Sequence, residues 1–191
     1  MNRLLIIFLL FIASTQVLGQ SDNQLTWSNR KLKWADFKGD IPADSKFHAL
    51  THSVIDLKYH AEGNNVTFEI KTVFEKLKSW KKEEADTYLL QHEQLHFDIT
   101  EYYSRILRKR IKTHRFKGIN TFSSEVSAIF NQIYKDANEM QLAYDKETEH
   151  SINKKKQKKW NKKIASSMKK LDNYKNPKIK INISYLTNKS I

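Results

Sequence analysis

An alternation of apolar and polar residues predicts a β-hairpin over residues 53–74. The Glu-Gly-Asn-Asn segment at 62–65 has the composition of a turn and separates the two strands. In the second strand, Val66, Phe68 and Ile70 share one face, and polar residues occupy the other. A period of two is typical of a strand with one buried face, so we expect the hairpin to pack its apolar side against the rest of the domain.

A helical period replaces this alternation further along the chain and predicts three helices. The first covers residues 79–112 without Gly or Pro, and Ser79 is its candidate cap. The second covers residues 123–150, where apolar residues recur every three or four positions. The third begins near Asn153 and is rich in lysine. Its apolar stripe consists of Trp160, Ile164, Met168 and Leu171.

Two strands followed by three helices predict a single α+β domain. An aromatic-rich segment, 25–45, precedes the hairpin, and we expect it to lie as an extended stretch and loop against the domain. We set the domain at residues 20–174 and treat residues 175–191 as a tail, whose weak alternation indicates a late strand or a frayed end. A mature chain of about 170 residues can bury a core without crosslinks.

The N-terminal segment has the parts of a secretory signal peptide. Arg3 supplies a positive charge, and residues 4–13 form a short apolar run. Val17 and Gly19 are the small residues expected before a cleavage site. The apolar run is too short to span a bilayer comfortably, which disfavours the alternative of a retained anchor. We therefore expect residues 1–19 to be removed and the protein to be secreted or periplasmic. The chain has no cysteine, so disulfides are excluded.

The net charge of +13 is concentrated at one end of the chain. Residues 152–191 contain thirteen lysines and one acid, Asp172, whereas residues 20–151 contain equal numbers of acidic and basic residues. This neutral body, and a lysine run without the interleaved aromatics that base stacking requires, argue against a nucleic-acid partner. We expect the lysine-rich helix to pack its apolar stripe on the core. A weak association with an anionic surface of the cell envelope is the alternative.

The segment from His92 to His96, His-Glu-Gln-Leu-His, has the spacing of a zinc site. Residues four apart lie on one face of a helix, so two imidazoles there can bind one metal ion at about 2.0–2.1 Å. Glu93 is offset by one residue, so it can reach the open position of the metal and act as a general base. This HExxH arrangement is found in zinc metalloproteases and favours a zincin-like fold. The alternative is a chance match on a surface helix.

A catalytic zinc ion normally has three protein ligands, and the sequence leaves the third one open. The histidine that closely follows HExxH in metzincins is absent. If the second helix runs antiparallel to the first, its C-terminal end returns to the level of His96. That end offers Glu139, Glu147, Glu149 and His150, and the spacing alone does not separate them.

Several segments together resemble one bacterial family. They are LKWADFKG at 32–39, SW at 79–80, HEQLHFDI at 92–99, YDKETEHS at 144–151 and QKKW at 157–160, followed by Ile164. The family is known as domain of unknown function 922, and its members are described as secreted zinc-dependent proteases. The likeness covers about residues 25–171, and the combination of HEQxHFD with YDxxTxH is its most specific part.

The resemblance implies roles for several residues. It implies zinc ligands at His92, His96 and His150. It also implies that Glu93 is the general base, and it makes Tyr144 a candidate hydrogen-bond donor to the oxyanion of a tetrahedral intermediate.

The resemblance further implies that Asp98 and Asp145 orient a ligating histidine through its second ring nitrogen. Two positions depart from the family pattern, which has glycine where this chain has Leu95 and Ser151. The first change is expected to narrow the site, and the second bears on how the helix ends at His150. Neither change removes a metal-binding group.

These observations predict a monomeric, secreted zinc metallopeptidase that hydrolyses a peptide or protein substrate. The strand at 66–74 is a candidate edge on which an extended substrate can add. The alternative is a non-catalytic protein of the cell envelope in which zinc only stabilises a pair of helices. The two functions differ at Glu93, which is essential only for the first.

Overall fold

The structure is a computed structural model that describes residues 23–28 and 30–187. Its strands are β1 (Gln24–Thr26), β2 (Ala49–Leu50), β3 (Ser53–Glu62), β4 (Asn65–Glu75), β5 (Trp80–Lys81) and β6 (Lys178–Asn182). Its helices are α1 (Thr87–Thr113), α2 (Phe122–Thr148), α3 (Lys154–Lys170) and the short α4 (Ser184–Thr187), with 3-10 turns at Trp34–Asp36 and Asp172–Tyr174. This set of elements confirms the α+β class.

The predicted hairpin forms the centre of the main sheet. β3 and β4 pair antiparallel along their length, and Gly63 in the turn has a φ of 55°, which glycine adopts without steric cost. β1 and β6 pair with opposite ends of the other edge of β4. β4 is therefore an interior strand, and the prediction that residues 66–74 offer an edge to a substrate is wrong. In the described part of the chain, β3 forms one edge of this sheet, and β1 and β6 form the other.

The apolar face of β4 supports α1. Val66, Phe68 and Ile70 are almost inaccessible to solvent, as their alternation predicts. Ile99 and Leu107 of α1 belong to the same core, and α2 and α3 also pack on α1. Complete burial of an apolar side chain of this size stabilises a fold by about 2 kcal/mol. The sheet and α1 therefore hold each other in a fixed relation.

The lysine-rich C-terminal segment is part of this domain. Trp160 and Ile164 are buried in the main core, which confirms that the apolar stripe of α3 packs inward. Asn153 caps α3 by accepting a hydrogen bond from the backbone N–H of Lys156. Residues 175–191, which the sequence analysis sets outside the domain, supply β6, and β6 extends the main sheet.

α1 begins later than the sequence predicts. Asp86 caps the helix through its carboxylate. Ser79 is buried beside β5, where its hydroxyl accepts a hydrogen bond from the backbone N–H of His52 and donates one to the carbonyl oxygen of Glu75. The prediction of Ser79 as the cap is wrong because the two residues after it pair with β2 instead of continuing the helix.

The aromatic segment before the hairpin forms a second, smaller core, in agreement with its composition. Leu32 and Phe37 pack with Phe74 of β4 and Phe97 of α1. Gly39 approaches the loop before β5 so closely that an added Cβ would lie 2.7 Å from a backbone carbonyl oxygen, so only glycine fits there. This segment packs against the face of α1 that points away from the main core.

The predicted signal peptide, residues 1–19, lies outside the described residues. Among the helices that the structure describes, none combines the length and the apolar character needed to cross a membrane. Cleavage and compartment therefore stay predictions from the sequence.

Candidate metal centre

Two residues of α1 and one of α2 bring three metal-binding atoms together. Nε2 of His92 lies 3.1 Å from Oδ1 of Asp145, Nε2 of His96 lies 2.9 Å from the same oxygen, and the two Nε2 atoms are 3.2 Å apart. Ligands around a tetrahedral zinc ion with bonds of about 2.0–2.1 Å are separated by about 3.3 Å. The triangle is therefore close to the size that such an ion requires. We call these three residues the histidine cluster.

The packing of α1 on α2 positions the cluster. His92 and His96 are four residues apart and project from the same face of α1. α2 runs antiparallel to α1, and Asp145 in its last turn lies opposite the two histidines. Since only 2% of His92 is exposed, the orientation of its ring is fixed by the surrounding helices.

A glutamine holds the second ring nitrogen of each histidine. Gln141 donates a hydrogen bond to the carbonyl oxygen of His96 (3.0 Å), which leaves its Oε1 as the acceptor for Nδ1 of His96 (2.6 Å). Oε1 of Gln157 in α3 lies 2.9 Å from Nδ1 of His92. Nδ1 of each histidine therefore carries a proton, and Nε2 presents a lone pair. Metal-binding histidines are usually oriented by such outer hydrogen bonds.

When both histidines are neutral, the three inner atoms are all acceptors, and the site then needs a positive charge, from a metal ion or from a proton on a ring. Burial alone would lower the pKa of His96, but its hydrogen bond to Asp145 and the negative charges of Glu93 and Asp145 raise that pKa. Burial would likewise raise the pKa of Asp145, yet the hydrogen bonds that His92 and His96 donate when their Nε2 atoms are protonated hold it well below its usual range. A set of two imidazoles and one carboxylate fits a divalent cation such as Zn²⁺.

The histidine cluster opens onto a cavity of about 980 Å³. Glu93 is buried next to the cluster and lines the same cavity. Its backbone carbonyl oxygen accepts a hydrogen bond from the hydroxyl of Thr51, which lies between β2 and β3. This contact ties the Glu93 turn of α1 to the cavity wall. The structure therefore places a carboxylate beside the candidate metal ligands.

His150, the third ligand implied by the resemblance, lies at the margin of the cluster. Its Nδ1 is 3.8 Å from Oδ1 of Asp145, its side chain is 53% exposed, and its ring packs on Phe47 with 4.9 Å between centroids. The third atom of the triangle belongs to Asp145, to which the sequence analysis gave only an orienting role. The overlooked signal is the pair Gln141 and Asp145, whose spacing of four matches that of the two histidines on an antiparallel helix.

The carboxylates that the spacing left open are exposed and lie outside the cluster, although Glu149 lines the cavity. Glu147 pairs with Lys156 at 3.3 Å. Glu149 accepts a hydrogen bond from the side chain of Asn153, and Glu139 pairs with a lysine one turn before it. The structure brings none of these three residues into the cluster.

Tyr144 lies behind the cluster and does not line the cavity. Its ring is fully buried and stacks on His92 with 4.6 Å between centroids. Its hydroxyl donates a hydrogen bond to the carbonyl oxygen of His92 and accepts one from Gln157. Burial raises the pKa of this phenol well above its usual value. The position suits a residue that orients His92 better than one that contacts an oxyanion.

Asp98 lies on the side of α1 away from the cluster. Its Oδ1 accepts hydrogen bonds from Nε1 of Trp27 and Nε2 of Gln94, both at 2.8 Å. It fastens the N-terminal segment to α1, so the prediction that it orients a ligating histidine is wrong. Leu95 is buried in the main core and does not line the cavity, so it does not narrow the site.

The turn between α2 and α3 has an unusual backbone. Glu149, His150 and Ser151 have φ values of 52°, 51° and 79°. Left-handed backbone costs residues with a Cβ roughly 1 kcal/mol or more each. This turn places His150 on the cavity wall. Glycine, which the family pattern has at the position of Ser151, adopts such a φ freely.

Fold and site together define a class: an α+β domain whose packed helices present a candidate metal centre to an open cavity. The family described as "Bacterial protein of unknown function (DUF922)" matches residues 32–151, which is more than half of the chain. The protein belongs to this family. The matched region includes the hairpin, α1, α2 and the turn that follows α2. No curated protein and no solved structure matches the chain.

Proposed function

We propose that this protein is a zinc-dependent metallopeptidase with a zincin-like site. The observation that carries the proposal is the histidine cluster, in which three acceptor atoms form a triangle of the size a tetrahedral metal ion requires. His92, His96 and Asp145 would hold the ion. Glu93 lines the same cavity and supplies the carboxylate that hydrolysis needs.

The residues of the chain provide orientation and a proton acceptor. A bound zinc ion would supply Lewis acidity, which lowers the pKa of a coordinated water to about 7. Glu93 can accept a proton from the attacking water and pass it to the leaving amine. His150 lies on the cavity wall with an exposed ring, where it can donate a hydrogen bond to the substrate.

The cavity suits a polypeptide with bulky apolar side chains. Four large side chains line it and are exposed, namely Phe47, Leu50, Tyr134 and Ile152. Exposed apolar groups that gather around a polar centre mark a binding surface. Ser53 and Ile55 of β3 also line the cavity, so the β3 edge of the sheet is available to an extended chain.

Metal content and activity together test the proposal. We expect about one zinc ion per chain by elemental mass spectrometry on protein purified without an affinity metal. Glu93→Gln should retain the zinc and lose about a hundredfold or more of the peptidase activity, because it removes only the proton acceptor. A native protein that takes up no zinc, even after supplementation, would overturn the proposal.

Two variants separate the candidates for the third ligand. The geometry favours a loss of most of the zinc in Asp145→Ala and its retention in His150→Ala. The opposite result would assign the ligand to His150 and leave Asp145 as the group that orients it.

The second candidate function is a zinc-stabilised binding protein without catalysis. It is favoured by the way the cluster links three helices, since His92 of α1 contacts both Asp145 of α2 and Gln157 of α3. A metal bound there would stabilise the fold whether or not a reaction occurs. In that case zinc would raise the Tm, and Glu93→Gln would change no activity.

We also propose that the protein acts outside the cytoplasm, in the periplasm or after full secretion. This part rests on the pattern of residues 1–19 alone. N-terminal sequencing of protein from the periplasmic and culture fractions should find a chain that begins at Gln20 or Ser21. Recovery of a cytoplasmic chain that retains Met1 would contradict it.

A further inference from the structure

α3 carries a dense positive charge. Nine of its 17 residues are lysine, and none is acidic. Lys156 pairs with Glu147, and Lys154 and Lys163 lie over aromatic rings. The other six lysines are exposed and form no ion pair with the described part of the chain. They are Lys155, Lys158, Lys159, Lys162, Lys169 and Lys170.

These six lysines lie on one side of the helix, and we call them the lysine face. Their spacings of three, one, three, seven and one residues keep them in line along α3. Gln157, Trp160 and Ile164 occupy the opposite side and are buried. The residues between the lysines, Ala165 and Ser166, are small, so no bulky group projects beyond the ammonium groups.

We propose that the lysine face docks the protein on an anionic lipid surface. A helix of 17 residues is about 25 Å long, and a straight row of cations of that length matches a flat array of phospholipid headgroups. Lysines close to an anionic bilayer are drawn to it by electrostatic attraction. Because the apolar stripe of α3 is buried in the core, the contact is electrostatic and peripheral, without insertion of the helix.

Nucleic acid is a poorer match for this surface. Trp160, the aromatic residue of α3, is only 4% exposed, so the helix presents no ring on which bases can stack. The positive charge is also confined to the C-terminal segment, because residues 20–151 are neutral. The N-terminal pattern predicts export to a compartment where lipid is a more abundant polyanion than nucleic acid.

Docking through the lysine face would hold the cavity near the lipid surface. Lys154, the first residue of α3, lines the cavity, and the lysine face begins at the next residue. A substrate close to the same surface would then lie near the histidine cluster. The docking does not depend on metal or catalysis, so its test stands apart from that of the proposed function.

Sedimentation of the full chain with lipid vesicles tests the proposal. We expect binding to vesicles that mix phosphatidylcholine with phosphatidylglycerol and none to phosphatidylcholine alone. The triple substitution of Lys158, Lys159 and Lys162 by Gln should weaken binding about a hundredfold, since each lysine is worth about fivefold. High salt should release the native protein, because screening shortens the range of exposed charges.

A matched control variant distinguishes an effect of the lysine face on binding from an effect of net charge. Lys38, Lys109 and Lys117 are exposed and lie outside α3, so their triple substitution by Gln removes equal charge and should leave binding nearly unchanged. Both variants should keep the native Tm. Equal weakening in the two variants would overturn the proposal. So would the absence of binding to the mixed vesicles, or binding to duplex DNA in place of them.

Discussion

α1 carries two buried polar clusters, and they differ in how fully their hydrogen-bonding groups are matched. The histidine cluster joins three acceptor atoms and opens onto a cavity. Further along the helix, Glu101, Arg105 and Arg108 are buried behind β4, and we call them the arginine cluster. His92 is as buried as the arginine cluster, whereas the side chains of His96 and Asp145 are 13% and 28% exposed.

Donors and acceptors of the arginine cluster match each other. Glu101 accepts hydrogen bonds from Nε of Arg105 at 2.9 Å and from Nη1 of Arg108 at 3.0 Å. Arg108 also donates to the carbonyl oxygens of Ile70 in β4 and Tyr174 beyond α3. The arginine cluster therefore joins the sheet, α1 and the C-terminal segment without help from any ligand.

The difference between the two clusters shows which kind of buried polar side-chain network indicates a functional site. A buried network whose members satisfy each other is complete as it stands and serves the fold. A buried group of acceptors that lacks a donor is incomplete without a cation. The mismatch in the histidine cluster, and not the burial of its residues, is the reason to propose a metal there.

Removal of the carboxylate from the arginine cluster should have the largest effect on stability. Glu101→Ala removes the buried carboxylate that two buried guanidinium groups share and leaves Arg105 only a longer contact, 3.8 Å, with the exposed Asp172. We therefore expect the free energy of unfolding to fall by about 3–5 kcal/mol. Urea denaturation followed by circular dichroism measures this change. Glu139→Ala, which breaks an exposed ion pair on α2, is the control and should change stability by less than about 0.5 kcal/mol. Similar losses in both variants would mean that the buried arginine cluster contributes no more to stability than an exposed ion pair does.

Zinc should stabilise the native protein and leave His96→Ala unaffected. A ligand at a free concentration of 100 times its Kd stabilises the folded state by about 2.7 kcal/mol. Thermal unfolding with zinc and with a chelator measures the increment. Glu101→Ala should gain the same increment as the native protein, because its site is separate. An equal effect of zinc on native protein and His96→Ala would mean that the ion binds elsewhere.

The spacing of apolar residues predicted much of the fold, because this spacing follows from the geometry of a single strand or helix. Val66, Phe68 and Ile70 alternate because a strand turns every second side chain inward, and they are buried as expected. Trp160 and Ile164 are spaced by a helical turn and pack on the core. The spacing of the histidines on one helix was readable in the same way.

Contacts between distant segments were not readable from such patterns. Asp145 meets the histidines only because of where α2 begins and how it crosses α1, and no periodicity encodes either. His150 lies at the margin of the cluster, within a left-handed turn that no pattern in its own sequence predicts. The prediction that Ser79 caps the first helix was wrong because the residues after it form β5, and β5 pairs with β2, which lies far away in the sequence.

Loss of an outer hydrogen bond should weaken the metal site without removing a ligand. Gln141→Leu frees Nδ1 of His96, so we expect zinc affinity to fall about 10–100-fold. Competition with a chelating dye measures the affinity. Gln132→Leu, on an exposed position of the same helix, should leave it unchanged. Equal affinities for native protein and Gln141→Leu would show that the glutamine does not orient the ring.

The smallest expected effect concerns the left-handed turn at residues 149–151, which lies beside the histidine cluster. In the described part of the chain, the arginine cluster has no such turn beside it. Ser151→Gly relieves a φ of 79° and should raise the free energy of unfolding by about 0.5–1 kcal/mol in urea. Ser166→Gly, inside α3, should lower it by a similar amount because glycine disfavours a helix interior. A loss in both variants would contradict the left-handed turn. Stabilisation at Ser151 with weaker zinc binding would show that the strain helps to hold the site in its binding geometry.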